Sequence, residues 1–343
     1  MENAPARLLI IDTAWLGDVI FSTSLIGAVH EVWPQAALHA LVAPRGEAIL
    51  QGHPLVHKLW AYDKHGAQKS VRSLWRLGRE LAEAKFDVVL NAHPSLRSRL
   101  LARLTRAPVR VGYKGFLSGF CHTHRVPNDL AVEPDHAARR LALLRALIPD
   151  AKSAPLHVAV QPQAAAWAER FLANHSGNGP LLVLVVGSAW ETKRWPIGNY
   201  AALARKWISE RNGCVVVIGG KAETDLIEQL CSEIAGATPL ISEPIPHVAA
   251  LLARATVVVG NDTGVSFLGI AAGARKVIVL FGCTQVDYDF PPPHSAVQAG
   301  VPCCLPRTGH GSHRCRWSKL PWCMGQITVE RVWSEMAAIH PRG

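Results

Sequence analysis

LLIIDTAWLGDVIF, from Leu8 to Phe21, packs a whole strand-to-helix turn into one short stretch. Four apolar residues, Leu8 to Ile11, run into a polar loop that holds the pair Gly17 and Asp18, and an apolar-periodic segment then continues to Trp33. A short buried strand that passes directly into a helix is the unit from which open parallel sheets are wound. Asp18 at the mouth of that turn has two readings. It is either a carboxylate capping a helix, or a group placed where such sheets bind ligands, outside the carboxyl ends of their strands.

Working outward, the same alternation recurs. RLLII, ALHALV, KLWAY, FDVVLNA and VRVGY read as strands of a first series, with amphipathic segments at Ser70 to Ala84 and Asp135 to Leu147. A polar, proline-containing passage from about Asp150 to Gln163 separates them from a second series: Leu181 to Val186, Cys214 to Gly219, Ala255 to Gly260 and Lys276 to Gly282. The pattern predicts two open α/β domains in tandem, residues 1–160 and 161–343, with a cleft between them and the last helix returning to the first domain. A chain of 343 residues suits two domains of about 100–200 residues each.

With 49% hydrophobic and 18% charged residues the composition is globular, and no apolar run approaches the ~18 residues of a membrane span. The apolar run of the N-terminal stretch stops at Asp12 and no small-residue cleavage site follows, so a cytoplasmic protein is expected. A formal charge of +10 implies attraction to something anionic: nucleic acid, a membrane surface or a phosphorylated small molecule. The excess has a local source. Between Asp87 and Asp129 no acidic residue occurs, while Arg97, Arg99, Arg103, Arg106, Arg110, Lys114 and Arg125 all fall there. Arg99, Arg103 and Arg106 are spaced to share one helical face, either a solvated basic surface or an anion site.

Four strand-end loops carry polar groups. The first holds Asp18; the second is GSAWETKRWP, Gly187 to Pro196; the third is GGKAETD, Gly219 to Asp225; the fourth is GNDTGVSF, Gly260 to Phe267. In the fourth, Asp262, Thr263 and Gly264 open a helix whose free N–H groups and dipole suit an anion, although either of the first two residues would also serve as a plain N-cap. Lys193 and Arg194 add cations in the second loop, and Glu223 is an acid at a strand end, where carboxylates hold ribose hydroxyls. As a set they fit a nucleotide diphosphate.

LIIDTAWLGDVIFSTSLIGAVHEVWP, KRWPIGNYAALA, VIGGKAETD and GNDTGVSFLGIAAGARKVIVLFG, in that order and at those separations, resemble the lipopolysaccharide heptosyltransferases of glycosyltransferase family 9 over nearly the whole chain. NAHPSLRSRLLARLTRAPVRVGY and FGCTQVDYDFPPP look closest to the type II enzymes, which add the second heptose of the inner core. The resemblance implies a GT-B fold of two Rossmann-like domains facing across a cleft, acceptor on the N-terminal one and ADP-heptose on the C-terminal one. By matching position it implies Asp18 as catalytic base. It also implies Ser188, Thr192, Lys193, Glu223, Asp262, Thr263 and Gly264 as donor-binding residues. A base on the incoming hydroxyl and positive charge on the departing diphosphate are what inverting transfer needs. One departure is visible: the family usually carries a histidine shortly after that glycine, and Phe267 stands in its place.

The acceptor so implied is a Kdo-lipid A type glycolipid bearing carboxylates and phosphates, which makes Arg97, Arg99 and Lys114 candidates to hold it through charge-assisted contacts. The enzyme would then sit peripherally on the cytoplasmic face of the inner membrane. No cofactor is required beyond the ADP-heptose substrate. Cys303, Cys304, Cys315 and Cys323, with His310 and His313, form a late cluster. Relatives that glycosylate autotransporter proteins bind iron in a comparable region, so iron or zinc is one reading and buried or reactive thiols the other, since the adjacent pair cannot make a C-x-x-C knuckle. Three alternatives remain at this level: transfer to a protein or another glycan, a nucleotide-sugar epimerase, and a basic nucleic-acid binder. No zinc-finger, RNA-recognition or helix-turn-helix pattern supports the last, so nucleic acid is not the expected partner.

Overall fold

The computed structural model describes residues 4–129, 133, 135–175, 179–301, 311–318 and 321–337. The chain divides into two compact units, Met1–Ala159 and Val160–Gly343.

The first unit runs β1 (Arg7–Asp12), α1 (Leu16–Val32), β2 (Ala37–Val42), α2 (Pro44–Leu50), β3 (Lys58–Ala61), α3 (Val71–Glu83), β4 (Val88–Asn91), α4 (Leu96–Leu104), β5 (Val109–Tyr113), α5 (Ser118–Cys121), β6 (His124–Val126) and α6 (His136–Arg145). Its strands form one parallel sheet ordered β3-β2-β1-β4-β5-β6. Strands covered on both faces read as unbroken apolar runs, and Leu8 to Ile11 of the central β1 are all buried. The order of connections reverses between β1 and β4, so the carboxyl end of β1, Asp12, marks the switch point where such sheets open a ligand crevice.

The second unit begins with α7 (Pro162–His175) and continues β7 (Leu181–Val185), α8 (Ile197–Arg211), β8 (Cys214–Gly219), α9 (Thr224–Ser232), β9 (Ala237–Ile241), α10 (Ile245–Ala253), β10 (Val257–Asn261), α11 (Gly264–Ala271), β11 (Val277–Phe281), β12 (Ser295–Gln298), α12 (Trp322–Gly325) and α13 (Val329–Ala337). Its sheet, β9-β8-β7-β10-β11-β12, repeats the winding of the first. Short 3-10 turns at Glu191–Lys193 and Lys221–Glu223 follow β7 and β8.

Two features differ from expectation. The strands β6, β9 and β12 have no counterpart in the sequence reading; each is an outer strand, and β9 carries Pro239, which an edge tolerates because one side of its backbone needs no partner. The passage after Asp150 lacks regular structure but is not loose: Ser153 bonds Ser24, and the His157 amide donates to Thr23, fixing it along α1 with Leu156 and Val158 buried. The last described helix packs on α8, β11 and β12, with Val332 and Met336 in the core of the second unit.

Candidate functional site

In the first unit, Trp15 is the N-cap of α1 by position and Asp18 stands at the third helical residue, so the carboxylate is not an N-cap. Its Oδ2 accepts a long bond from the Trp15 amide at 3.3 Å. Its Oδ1 accepts from Arg140 Nη2 at 2.9 Å. Arg140, reaching in from α6, also bonds Asp12 Oδ2 at 3.3 Å and Ser22 Oγ at 3.0 Å, while Ser22 donates to Asp12 at 2.6 Å. Asp12 and Arg140 are buried; the Asp18 side chain keeps 31% of its surface. Burial works to raise the Asp18 carboxyl, but the charges of Arg140 and His136 and the Arg140 bond outweigh it and hold it below the usual carboxylate range. Burial likewise disfavours the Arg140 charge, and Asp12 and Asp18 overcome it, so Arg140 is held more firmly protonated than usual. Lys64 donates to the Thr13 carbonyl at 2.7 Å and His93 Nδ1 lies 2.9 Å from Thr13 Oγ1, which closes the polar surround of the β1 end. Burial lowers both of their pKa values, against the pull of Asp12 and Asp18.

The basic stretch disperses. Arg97 donates to Tyr62 Oη at 2.8 Å and the Lys69 carbonyl at 2.5 Å, at the start of α4 and still partly exposed. Arg99 is buried and donates to the Phe116 carbonyl at 2.9 Å, supporting the loop after β5. Lys114 is exposed on that loop. The expected common face of Arg99, Arg103 and Arg106 does not form, because α4 ends at Leu104 and Arg106 lies beyond it with φ of 59°.

In the second unit, Lys193 Nζ donates to Asp262 Oδ2 at 2.6 Å, and Thr284 Oγ1 donates to the same oxygen at 2.8 Å. Burial, with Asp287 nearby, pushes the Asp262 carboxyl above its ordinary value against the Lys193 charge. Asp262 is thus a counter-ion. Thr263 holds the N-cap position of α11 without a side-chain capping bond, and Gly264 is the first helical residue. Glu223 accepts from Arg194 Nη2 at 3.2 Å and from the Gly220 amide at 3.0 Å. Arg194 also donates to the Ser188 carbonyl at 2.8 Å. Asn261, at the end of β10, ties the loops together: its Oδ1 accepts from the Trp195 amide and Tyr200 Oη, and its Nδ2 donates to Val186 O.

A cavity of about 230 Å³ opens at the carboxyl ends of β7, β8 and β9. Ile218, Leu240 and Val248 make its apolar floor, and Ser188, Glu223 and Thr263 stand on its wall. Thr192, Lys193 and Asp262 do not line it; Thr192 instead bonds the Ser312 carbonyl and amide, at 2.9 and 2.7 Å. An apolar floor with a few convergent polar groups beside a buried ammonium suits a flat ring, a sugar and a charged extension. Phe267 is buried against Tyr288 and Phe290, so its ring belongs to an aromatic cluster rather than to an open surface.

Cys303, Cys304 and His310 lie outside the described residues. Cys323 is buried beside Gly282 and Met324 in the apolar core, and among the described residues no group of three or more His, Cys, Asp or Glu is placed to hold a metal ion. Among the described residues, no helix is long and apolar enough to cross a membrane.

The sequence reading missed Arg140, Asp12, Asn261 and Thr284. Asp12 and Asn261 end strands, a usable signal. Arg140 lies 128 residues from Asp12, and nothing local announces that pairing.

Residues 74–304 match Glycosyltransferase family 9 (heptosyltransferase). The chain is 27% identical over 311 residues to lipopolysaccharide heptosyltransferase 2 of Salmonella typhimurium, covering 84% of this chain and 86% of that one. It is 25% identical over 355 residues to lipopolysaccharide heptosyltransferase 1 of Pseudomonas aeruginosa, with 97% and 98% covered. Among solved structures, the ADP-heptose lipopolysaccharide heptosyltransferase II of Escherichia coli superposes with a TM-score of 0.78 at 21% identity, over 97% of this chain and 98% of that one. Two units of identical winding, a carboxylate at one switch point, an ammonium at the other and a match over more than half the sequence lead to one conclusion: the chain belongs to glycosyltransferase family 9, the heptosyltransferases, and is a glycosyltransferase of GT-B fold.

Proposed function

We propose that the protein transfers heptose from ADP-heptose, with inversion, to the inner core of lipopolysaccharide, in the manner of the type II enzymes. Asp18 carries the reading. It is a carboxylate in the first turn of α1, kept ionised by Arg140 through Oδ1, with Oδ2 held, among the described residues, by a long backbone bond alone. That oxygen is the group that accepts the proton of the attacking hydroxyl as its bond to the anomeric carbon forms. The first unit binds the anionic acceptor, with Arg97 and Lys114 on its carboxylates and phosphates; Arg99 acts by holding the 114–118 loop.

The second unit binds the nucleotide sugar. The adenosine lies in the cavity, its ribose hydroxyls donate to Glu223, and the diphosphate meets Ser188, the Thr263–Gly264 start of α11 and Lys193. Lys193 directs one donor at Asp262, and an ammonium has three, so the rest suit the charge that builds on the leaving ADP. Thr192 shapes the loop that carries Lys193. The type II relative and the type I relative are similar to this chain to nearly the same degree, so the acceptor decides the step. A lipid-linked acceptor places the work at the cytoplasmic face of the inner membrane.

The test is turnover. Purified protein, ADP-heptose and Kdo2-lipid A carrying no heptose or one heptose are incubated in parallel, with the product read by mass spectrometry. Addition to the one-heptose acceptor alone is expected. Addition only to the heptose-free acceptor would make this the type I step, and no transfer from ADP-heptose to either would end the proposal.

A further inference from the structure

A groove of about 570 Å³ runs between α3, α4 and α5, lined by Val71, Trp75, Leu96 and Phe120 together with Arg103 and Arg106. Its apolar side chains face water: Val71 is 66%, Trp75 57% and Phe120 63% exposed. They are not displaced core residues, because α3 already turns Leu74, Leu77 and Leu81 inward. Single exposed apolar residues need no explanation, but a contiguous set of this kind marks a contact surface.

The charge around it is one-sided. Arg72 and Arg79 are exposed along α3, Arg76 is exposed there in a 4.0 Å pair with Glu80, and the Arg103 guanidinium lies 5.2 Å over the Phe120 ring. The whole of α4 and α5 falls in the stretch without an acidic residue, while Glu80 and Glu83 sit at the far end of α3. Exposed indole and phenyl rings set among arginines are the chemistry of a bilayer interface, where aromatic rings lie at headgroup level and basic side chains meet anionic phosphates. Val71 and Leu96 are the first residues of α3 and α4. In a parallel sheet these helix starts lie at the same end as Asp18 in the first turn of α1.

We propose that this groove and its arginine rim are the surface by which the first unit docks on an anionic lipid bilayer. The inference deepens the proposed function by naming the face that meets the membrane in which the acceptor is anchored.

The test uses the full chain without substrates. Vesicles of phosphatidylcholine alone, and with phosphatidylglycerol added, are sedimented with wild type, Trp75→Ser/Phe120→Ser and Arg103→Gln/Arg106→Gln at low and high salt. Wild type is expected on the anionic vesicles, released by salt and absent from the neutral ones. The aromatic variant should lose most of that binding at low salt. The arginine variant should bind about fivefold more weakly for each charge removed. Both double variants are checked by melting temperature, which should stay near wild type. Absence of wild-type binding to anionic vesicles, or binding unaffected by both variants, overturns the proposal. So does self-association, seen by sedimentation velocity, that the aromatic variant abolishes, since the occupant is then a second copy. Vesicle binding is read separately from heptose transfer, so failure of the enzymatic reading and failure of the docking surface give different results.

Discussion

The two units share one winding and treat charge in opposite ways. In the first, a single buried guanidinium, Arg140, is shared by two carboxylates, Asp12 at the strand end and Asp18 on the helix, and one carboxylate oxygen stays available. In the second, the strand-end loop after β10 offers a buried carboxylate, Asp262, matched to one ammonium, Lys193. The same scaffold thus presents a proton acceptor in one unit and a cation in the other. What differs is which sign is in excess around the pair, and not the backbone.

Removing the acceptor oxygen breaks the contrast most directly. Asp18→Asn keeps the size of the side chain, so ADP-heptose affinity should stay close to wild type, while melting temperature falls only by the lost charge pair with Arg140. A positioned general base contributes about 10²–10⁴-fold in rate, and kcat should fall by that factor. Turnover within a few-fold of wild type, with chemistry rate-limiting, would leave the first unit without its nucleophile-activating group.

Arg140→Gln attacks the shared cation. It strands Asp12 in a buried site, and loss of one partner from a buried pair costs about 3–5 kcal/mol, to be read by urea unfolding. The pH dependence sharpens the point. Asp18 titrates below its unfolded value, so its ionised form stabilises the fold above that value, and this contribution disappears as pH falls through the folded one. The acid limb of kcat/KM in wild type should lie below the ordinary carboxylate range. In Arg140→Gln, burial is left less opposed and the limb should move to higher pH; in Arg140→Lys it should move less. An unmoved limb would mean that Arg140 does not set the Asp18 charge.

In the second unit the pair is one-to-one, which makes a different prediction. Lys193→Ala should weaken ADP-heptose binding by about 1.5–3 kcal/mol, the scale of a hydrogen bond to a charged group. Part of that loss comes from the Asp262 carboxylate, left buried near the diphosphate. Lys193→Ala/Asp262→Asn should therefore regain some affinity and some stability relative to the single variant. Calorimetry showing wild-type affinity in Lys193→Ala would remove the ammonium from the donor site.

These contrasts were only half legible in the sequence. Central strands such as β1, β7 and β10 announce themselves because burial on both faces demands unbroken apolar runs. The outer strands β6, β9 and β12 do not, since a half-solvated edge accepts His124, Pro239 and Ser295 as readily as valine. Asp18, Lys193 and Glu223 were visible as strand-end polar groups. Their partners were not: Arg140 and Thr284 come from distant segments, and pairing over such separations is a property of the folded sheet. The arginine stretch misled for a related reason. Count and spacing show charge, whereas the fold decides that Arg99 serves a backbone carbonyl and that Arg106 leaves the helix.

The smallest effect falls on Glu223, whose bonding most resembles that of Asp18: a carboxylate shared between an arginine and a backbone amide. Glu223 Oε1 accepts from Arg194 and Oε2 from the Gly220 amide, and the side chain stands on the cavity wall. If a ribose hydroxyl donates to it, Glu223→Gln replaces a charged acceptor by a neutral one and should weaken ADP binding by about 0.5–1.5 kcal/mol. A purely structural Glu223 gives the same direction through a loosened loop, so affinity for ADP alone does not discriminate. Deoxy nucleotides do. Against 2′-deoxy-ADP or 3′-deoxy-ADP, whichever lacks the bonded hydroxyl, the penalty of Glu223→Gln should vanish, because the interaction it removes is already gone. An equal penalty for ADP and both deoxy forms would assign Glu223 to holding Arg194 and the Gly220 turn, and would leave the ribose without a carboxylate.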